Sequence, residues 1–443
     1  MKVIVIGGVA AGMSAASKIK RMDKDSEVIV YEKGEHLSYG ACGLPYYVAG
    51  INKDPHKMIA RTSEQFINMG ITLRTKNEVV KINPDKKQIL VKDLENNKLY
   101  IDDYDKLMIS TGCSTLIPPI KGRELKNVYS LKTLSDGLIL RHVIESQEIK
   151  KVVVVGGGYI GVEVAETFHE TGKDVTIVEL APRVLTPFDE EITNIVMDRM
   201  REDGINLKLG EKVEEIIGND FVSGVKTDKG YYDADLVVLA IGVRPATGFL
   251  KDSGIALAKN GAIIIDREMR TNIPDIYSAG DCAEVYSKIK EENAFIPLGT
   301  TANKCGRIAG GNILGKHDKY IGTLGSAAIK VLDLELGRTG LSEIEAKNLS
   351  YDYTTVFVKA ADHPAYYPNP TPIWIKIIYE KRSRRILGAQ AIGQKGAVLR
   401  IDMFAIAIHN NMTTEDLGMT DLCYAPPFAG VWDAVHIACN AAK

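Results

Sequence analysis

The chain opens on Lys2-Val3-Ile4-Val5-Ile6, an unbroken β-branched run that predicts a strand buried on both faces rather than an alternating surface strand. Gly7-Gly8-Val9-Ala10-Ala11-Gly12 follows, then a stretch through Lys20 that reads as a helix, then a second strand, Val28-Ile29-Val30-Tyr31, ending at Glu32. The same order recurs about 150 residues on: Lys151–Val155 as strand, Gly156-Gly157-Gly158-Tyr159-Ile160-Gly161 as turn, a helix to His169, and Asp174–Val178 ending at Glu179. From about Gly322 the texture changes. Ala327–Val331 and Ile373–Tyr379 read as strands and Arg400–Asn410 as a helix, which predicts a third, mixed unit.

Strand, glycine turn, helix, strand and carboxylate together form the dinucleotide fingerprint. Helix-terminal amides hold a pyrophosphate, and the acid takes ribose hydroxyls. The first copy departs from it at Val9, where the second glycine should stand; the second copy is complete. Two copies in one chain argue against structural glycine turns alone. The candidate cofactor contacts are Gly7, Gly8, Ala10, Ala11, Gly12, Glu32 and Lys33 in the first, and Gly156, Gly158, Tyr159, Ile160, Gly161 and Glu179 in the second. A carboxylate at Glu179 accepts a ribose 2′-OH and repels a 2′-phosphate, which tilts the second site mildly towards NADH over NADPH; nearby Arg183 softens that tilt.

Between the copies lies Ser38-Tyr39-Gly40-Ala41-Cys42-Gly43-Leu44-Pro45-Tyr46-Tyr47. Pro45 suits a first helical turn, which places Cys42 just before a helix N-terminus and predicts a lowered thiol pKa. Most cysteines are small core residues, but one beside a nucleotide turn is a redox candidate. Its fifth neighbour is Tyr47, not a second cysteine, so no internal dithiol forms there. A lone redox thiol cycles through a mixed disulfide, a persulfide or a sulfenic acid.

Composition narrows the class. With 443 residues, 45% hydrophobic, 25% charged and net charge −2, the chain is expected to be a soluble protein of two or three domains. It carries no polybasic run for nucleic acid and no apolar run long enough to cross a membrane. Six scattered cysteines and no secretory leader fit a reducing cytoplasm, and no metal site is expected.

Thr271-Asn272-Ile273-Pro274-Asp275-Ile276-Tyr277-Ser278-Ala279-Gly280-Asp281 resembles the second flavin signature of two-dinucleotide flavoproteins, whose aspartate contacts the FAD ribityl chain. Ser110-Thr111-Gly112 and Ile241-Gly242-Val243-Arg244-Pro245 resemble their crossovers. With Cys42-Gly43-Leu44-Pro45-Tyr46, His363-Pro364-Ala365-Tyr366-Tyr367-Pro368 and Tyr424-Ala425-Pro426-Pro427-Phe428, the whole chain resembles the single-cysteine branch of the pyridine nucleotide-disulfide oxidoreductase family, nearest its coenzyme A disulfide reductases. The resemblance implies an α/β, glutathione-reductase-like fold with two Rossmann-like domains and a C-terminal α+β dimerisation domain. The expected division is residues 1–113 and 243–322 for FAD, 114–242 for NAD(P)H and 323–443 for dimerisation.

The resemblance also implies a homodimer with shared sites, in which NAD(P)H reduces FAD and the flavin reduces a mixed disulfide between Cys42 and a small thiol such as coenzyme A. Thr111, Gly112, Gly242, Gly280 and Asp281 join the cofactor contacts, and Tyr366 and Tyr424 become catalytic, acting from the opposite subunit. Tyr366 is preferred over adjacent Tyr367, and His363 and the remaining cysteines are read as structural. Ser14, Lys18, Arg21, Ser38, Arg61 and Asn303 are the substrate candidates, with Lys20 a further cation for phosphates. Ala41 stands where coenzyme A reductases often have Asn, and Trp432 where a basic residue meets phosphates. The alternative is a coenzyme A persulfide, polysulfide or sulfur reductase. An NADH oxidase or peroxidase is disfavoured because the first glycine turn lacks the histidine those enzymes usually carry. A non-catalytic flavoprotein serving as an NADH sensor is disfavoured by the presence of Cys42. No sulfur-transfer module is expected after Lys443.

Overall fold

The computed structural model describes residues 1–443. Both unbroken apolar runs become central strands of parallel sheets. In the first sheet Lys2–Ile6 lies between Glu27–Tyr31 and Lys106–Ile109, with Ile71–Arg74 and Ile276–Ser278 at the edges. In the second, Lys151–Val155 lies between Asp174–Glu179 and Leu236–Leu239, flanked by Asn206–Leu209 and Val128–Tyr129. Strand Ile276–Ser278 returns to the first sheet after the whole second sheet is built, so one unit is inserted into the other. The chain passes between them through a two-stranded antiparallel link, Cys113–Thr115 against Val243–Pro245.

The helix after the first glycine turn, Ala10–Met22, packs against Gly299–Ile313. The approach is close enough that a Cβ at Gly306 would sit 2.3 Å from the Ala11 carbonyl oxygen, so only glycine fits there. This contact brings a late helix onto the first nucleotide turn.

The C-terminal unit is an antiparallel sheet in the order Ala327–Val331, Leu334–Gly340, Ile386–Gly393, Pro372–Glu380, Tyr353–Ala361. Helix Ala397–His409 covers it, beginning three residues earlier than the sequence pattern suggested, after Gly396 in the left-handed region at φ +75. Lys376 of this sheet is 1% exposed and meets Glu191 and Glu343 at 2.8 and 2.7 Å and Asp189 at 3.4 Å, tying the C-terminal unit to the second sheet's unit. Lys376 is the buried member, and leaving its ammonium without these carboxylates costs about 3–5 kcal/mol.

Two three-stranded antiparallel meanders, Asn77–Asn83/Gln88–Asp93/Lys98–Asp103 and Val213–Gly218/Val222–Thr227/Tyr231–Asp233, have no counterpart in the sequence reading. No helix is long and apolar enough to cross a membrane.

Candidate active site

The two glycine turns are built alike. A Cβ at Gly12 would lie 1.9 Å from the Gly7 carbonyl oxygen, and one at Gly161 would lie 2.0 Å from that of Gly156. The helix in each case starts against the strand end, where no side chain fits. Glu32 accepts the amides of Gly8 (2.8 Å) and Gly34 (2.7 Å); Glu179 accepts those of Gly157 and, at 2.7 Å, Ala181. Each carboxylate is thus fixed beside its turn, one oxygen per amide. Ala10 and Tyr159 open the two helices, Gly158 caps the second, Ile160 is partly buried beside it, and Lys33 lies exposed beyond Glu32.

Four buried side-chain oxygens have no hydrogen-bond partner; those of Tyr104 and Thr371 lie elsewhere, and one of the other two stands at each turn: Thr111 Oγ1, whose backbone lies against Gly7, and Tyr159 Oη. A buried polar atom left unpaired costs about 1–3 kcal/mol. Orphans at both turns fit sites shaped for FAD at the first and NAD(P)H at the second. Gly112 and Gly242, with φ of +64 and +123, carry the crossovers, which are tied by Leu116 N to Gly242 O and Ala246 N to Gly112 O, each 2.9 Å.

Gly280, at φ +87, delivers Asp281 towards the same region. Its Oδ2 accepts from the Cys113 thiol at 3.5 Å and lies 3.6 Å from Lys132 Nζ. Sequence reading missed both neighbours. Cys113 directly follows the Ser110-Thr111-Gly112 crossover, and that adjacency was the available signal.

Cys42 lies in the 3₁₀ turn Ala41–Gly43 that leads into Leu44–Val48, with Pro45 in the first turn as expected. The expected lowering of its pKa is not found. Burial pushes the Cys42 thiol up, the Glu163 and Asp281 carboxylates add to this, and Lys132 pulls it down. The helix is five residues long, too short for a strong dipole, and although Cys42 has solvent access, the walls of its recess desolvate the sulfur. Glu163, unanticipated from sequence, lies on helix Tyr159–Glu170. Burial, then the charge of Glu166, pushes its carboxyl up to about 7. Glu166 itself pairs with Lys330.

The Tyr366 and Tyr424 hydroxyls meet at 2.6 Å. Tyr366 is 71% exposed in the protomer, and its hydrogen bond to Tyr424 raises its pKa. Tyr367 instead lies edge-on to His363, ring centroids 5.3 Å apart. Tyr366, not Tyr367, is therefore the residue joined to Tyr424.

Among the substrate candidates, Ser14 Oγ donates to Asn303 Oδ1 at 2.8 Å across the paired helices, with Lys18 part-exposed on the same helix and Arg21 exposed beyond it. Ser38 has a left-handed backbone at φ +50, pinned by Gly8 O and Ala60 N. Arg61 lies over the Phe66 ring at 5.4 Å and reaches Met69 sulfur. Lys20 is not a phosphate contact: it is buried, and its ammonium donates to the carbonyls of Lys24 (2.6 Å) and Ser26 (2.9 Å).

Two dinucleotide turns, a thiol recess and an appended antiparallel domain define a nucleotide-dependent thiol redox enzyme. The chain matches the model of the pyridine nucleotide-disulphide oxidoreductases over residues 1–297 and that of their dimerisation domain over residues 326–435. It belongs to this family of FAD-dependent NAD(P)H oxidoreductases. It is 40% identical to a CoA-dependent NAD(P)H sulfur oxidoreductase of Pyrococcus abyssi, over all of this chain and 98% of that one. The reduced CoADR-RHD of Bacillus anthracis superposes with a TM-score of 0.96 at 37% identity, covering all of this chain and 80% of that one. The water-forming NADH oxidase of Lactobacillus brevis gives the same TM-score at 33% identity, over all of this chain and 98% of that one.

Proposed function

We propose that the enzyme reduces the sulfur–sulfur bond of a coenzyme A-linked acceptor, coenzyme A disulfide in the first instance, through a mixed disulfide on Cys42. The observation that carries this is that Cys42 is a free thiol that reaches solvent: Cys113, Cys282, Cys305 and Cys439 are buried, the other exposed cysteine, Cys423, is free and lies on the C-terminal unit, and the fifth position on is the buried Tyr47. With no internal disulfide partner, the thiol is free to exchange with a small one.

The Cys42 thiolate attacks one sulfur of RSSR, forming Cys42–S–S–R and expelling RS⁻, which takes a proton to leave as RSH. FAD, held by the first glycine turn with Glu32 and Asp281, would supply two electrons from NAD(P)H; with these and a second proton, Cys42–S–S–R would return to the Cys42 thiolate and a second RSH. The Tyr366–Tyr424 pair serves as proton donor to the departing thiolate, reaching the recess from the second subunit of a homodimer. Ser14, Asn303 and Lys18 hold the polar end of the acceptor, and Glu179 favours NADH.

A second reading is supported by the CoA-dependent sulfur oxidoreductase at 40% identity. In it, Cys42 takes sulfane sulfur from coenzyme A persulfide and releases it on reduction as sulfide. Anaerobic NADH consumption compared across coenzyme A disulfide, coenzyme A persulfide, polysulfide, cystine and oxygen separates the readings. Turnover with oxygen alone would defeat both.

A further inference from the structure

Helix Ala397–His409 turns Ala397, Ile401, Phe404 and Ala407 into the core of the C-terminal unit, and one charged residue, Arg400, stands among them at 6% exposure. A Cβ at Gly396 would sit 2.8 Å from Arg400 Nη1, so a side chain there would push the guanidinium aside. All three guanidinium nitrogens are engaged. Nε and Nη2 donate to the Asp433 carboxylate at 3.0 and 2.7 Å, and Nη1 donates to the Gly396 carbonyl at 3.2 Å. Nη2 also donates to the carbonyls of Asp362 (2.9 Å) and Phe428 (3.4 Å). A buried ion pair adds little net stability, because desolvation offsets the attraction, so the pair with Asp433 does not by itself explain the arginine. The two carbonyls do.

Asp362 and Phe428 belong to the two loops that carry the tyrosines: Tyr366 lies four residues after Asp362, and Phe428 four after Tyr424. Each loop is closed on itself. The Asp362 amide donates to the Thr371 carbonyl at 2.9 Å, and the Asp362 carboxylate accepts the Thr371 amide at 2.7 Å. On the second loop the amides of Phe428 (2.9 Å) and Ala429 (3.1 Å) both return to the Ala425 carbonyl. Asp433 ends this loop and caps helix Ala434–Ala441, accepting the Val435 amide at 2.9 Å. One planar guanidinium thus joins both loops and a helix start at fixed angles, which the single ammonium of a lysine on its flexible stem cannot do. Tyr366 and Tyr424 are 71% and 46% exposed, so burial of their rings does not hold their hydroxyls at 2.6 Å. The geometry points to Arg400 as a positioning residue for the sulfur step: by holding the Asp362 and Phe428 carbonyls, it sets the two loops so that Tyr366 and Tyr424 are presented as one pair.

The inference rests on the tyrosines assisting the sulfur step. Arg400→Lys keeps a cation beside Asp433 but loses the fork that reaches both carbonyls. In the FAD-loaded dimer it should lower kcat with coenzyme A disulfide about tenfold, because a displaced catalytic group loses rate steeply. The KM for the disulfide and the single-turnover rate of flavin reduction by NADH should stay within about twofold, since neither uses the tyrosine pair. Arg400→Met/Asp433→Asn removes both charges together and keeps a side chain able to cap helix Ala434–Ala441, so it tests the same loss of the fork without stranding a buried charge. It should show the same fall in kcat. Added to Tyr366→Phe, either change should cost about twofold or less, because the pair it aligns is already gone. An unchanged kcat, a fall in flavin reduction equal to that in kcat, or a full tenfold further loss on Tyr366→Phe overturns the role of Arg400. Full turnover in Tyr366→Phe overturns the tyrosine reading, and this inference with it.

Discussion

At the scale of single residues, the site sets a thiol among carboxylates. Cys42→Ser should keep flavin and its reduction by NADH, which need no sulfur nucleophile, and lose turnover with disulfide or persulfide acceptors. Stopped-flow flavin bleaching paired with steady-state assays checks this, and slow bleaching in the variant would contradict it. Glu163 makes a separate prediction about stability. Its carboxyl is raised from an ordinary 4.5 to about 7 by burial, then by Glu166. Below pH 4.5 folded and unfolded chains both hold this proton. As the pH climbs towards 7 the unfolded chain releases it first, so stability is lost across that window and the loss is complete above it. The shift corresponds to at most about 3 kcal/mol, less after solvent screening. Glu163→Gln should therefore raise the urea midpoint at pH 8 and leave it nearly unchanged at pH 4. Equal gains at both would show that the carboxyl is not strained.

Among the elements, the glycine turns repeat one device twice: a carboxylate locked by two amides beside a helix start too tight for a Cβ. Glu179→Ala should raise the NADH Michaelis constant more than that for NADPH, by about tenfold, the value of one hydrogen bond to a charged group. An unchanged ratio would assign nucleotide choice elsewhere. These turns and strands were legible in the sequence because a strand buried on both faces must be an apolar run, as at Val152–Val155, and a close backbone approach must be glycine. The meanders were not legible. Leu99 and Ile101 are apolar yet exposed, so no buried face shows as alternation. Nor were contacts between distant elements: Cys113 meets Asp281 across 168 positions, and Lys20 looks like a surface cation until the Lys24 and Ser26 carbonyls enclose it.

Across the whole molecule, the C-terminal unit presents an apolar patch that one chain leaves uncovered, on helix Ala434–Ala441 and the loop before it. Phe428 is 77% and Trp432 54% exposed, with Val431 and Ile437 also exposed, whereas Val435 is buried in the core. An apolar patch of this kind marks an interface, and the matching dimerisation-domain model covers Phe428, Val431 and Trp432 of it. Tyr366 and Tyr424 lie on the same unit as the patch, joined to each other and open to solvent. If the second subunit supplies them to Cys42, chains carrying Cys42→Ser and chains carrying Tyr366→Phe/Tyr424→Phe are each inactive alone, yet complementary. Random exchange in an equal mixture makes half of the dimers mixed, and each mixed dimer holds one intact site of two, so about a quarter of wild-type turnover should return. Native mass spectrometry establishes the mixed dimers, and the coenzyme A disulfide assay reads the recovery. Mixed dimers without recovered turnover would place Cys42 and the tyrosines at one site within a single chain.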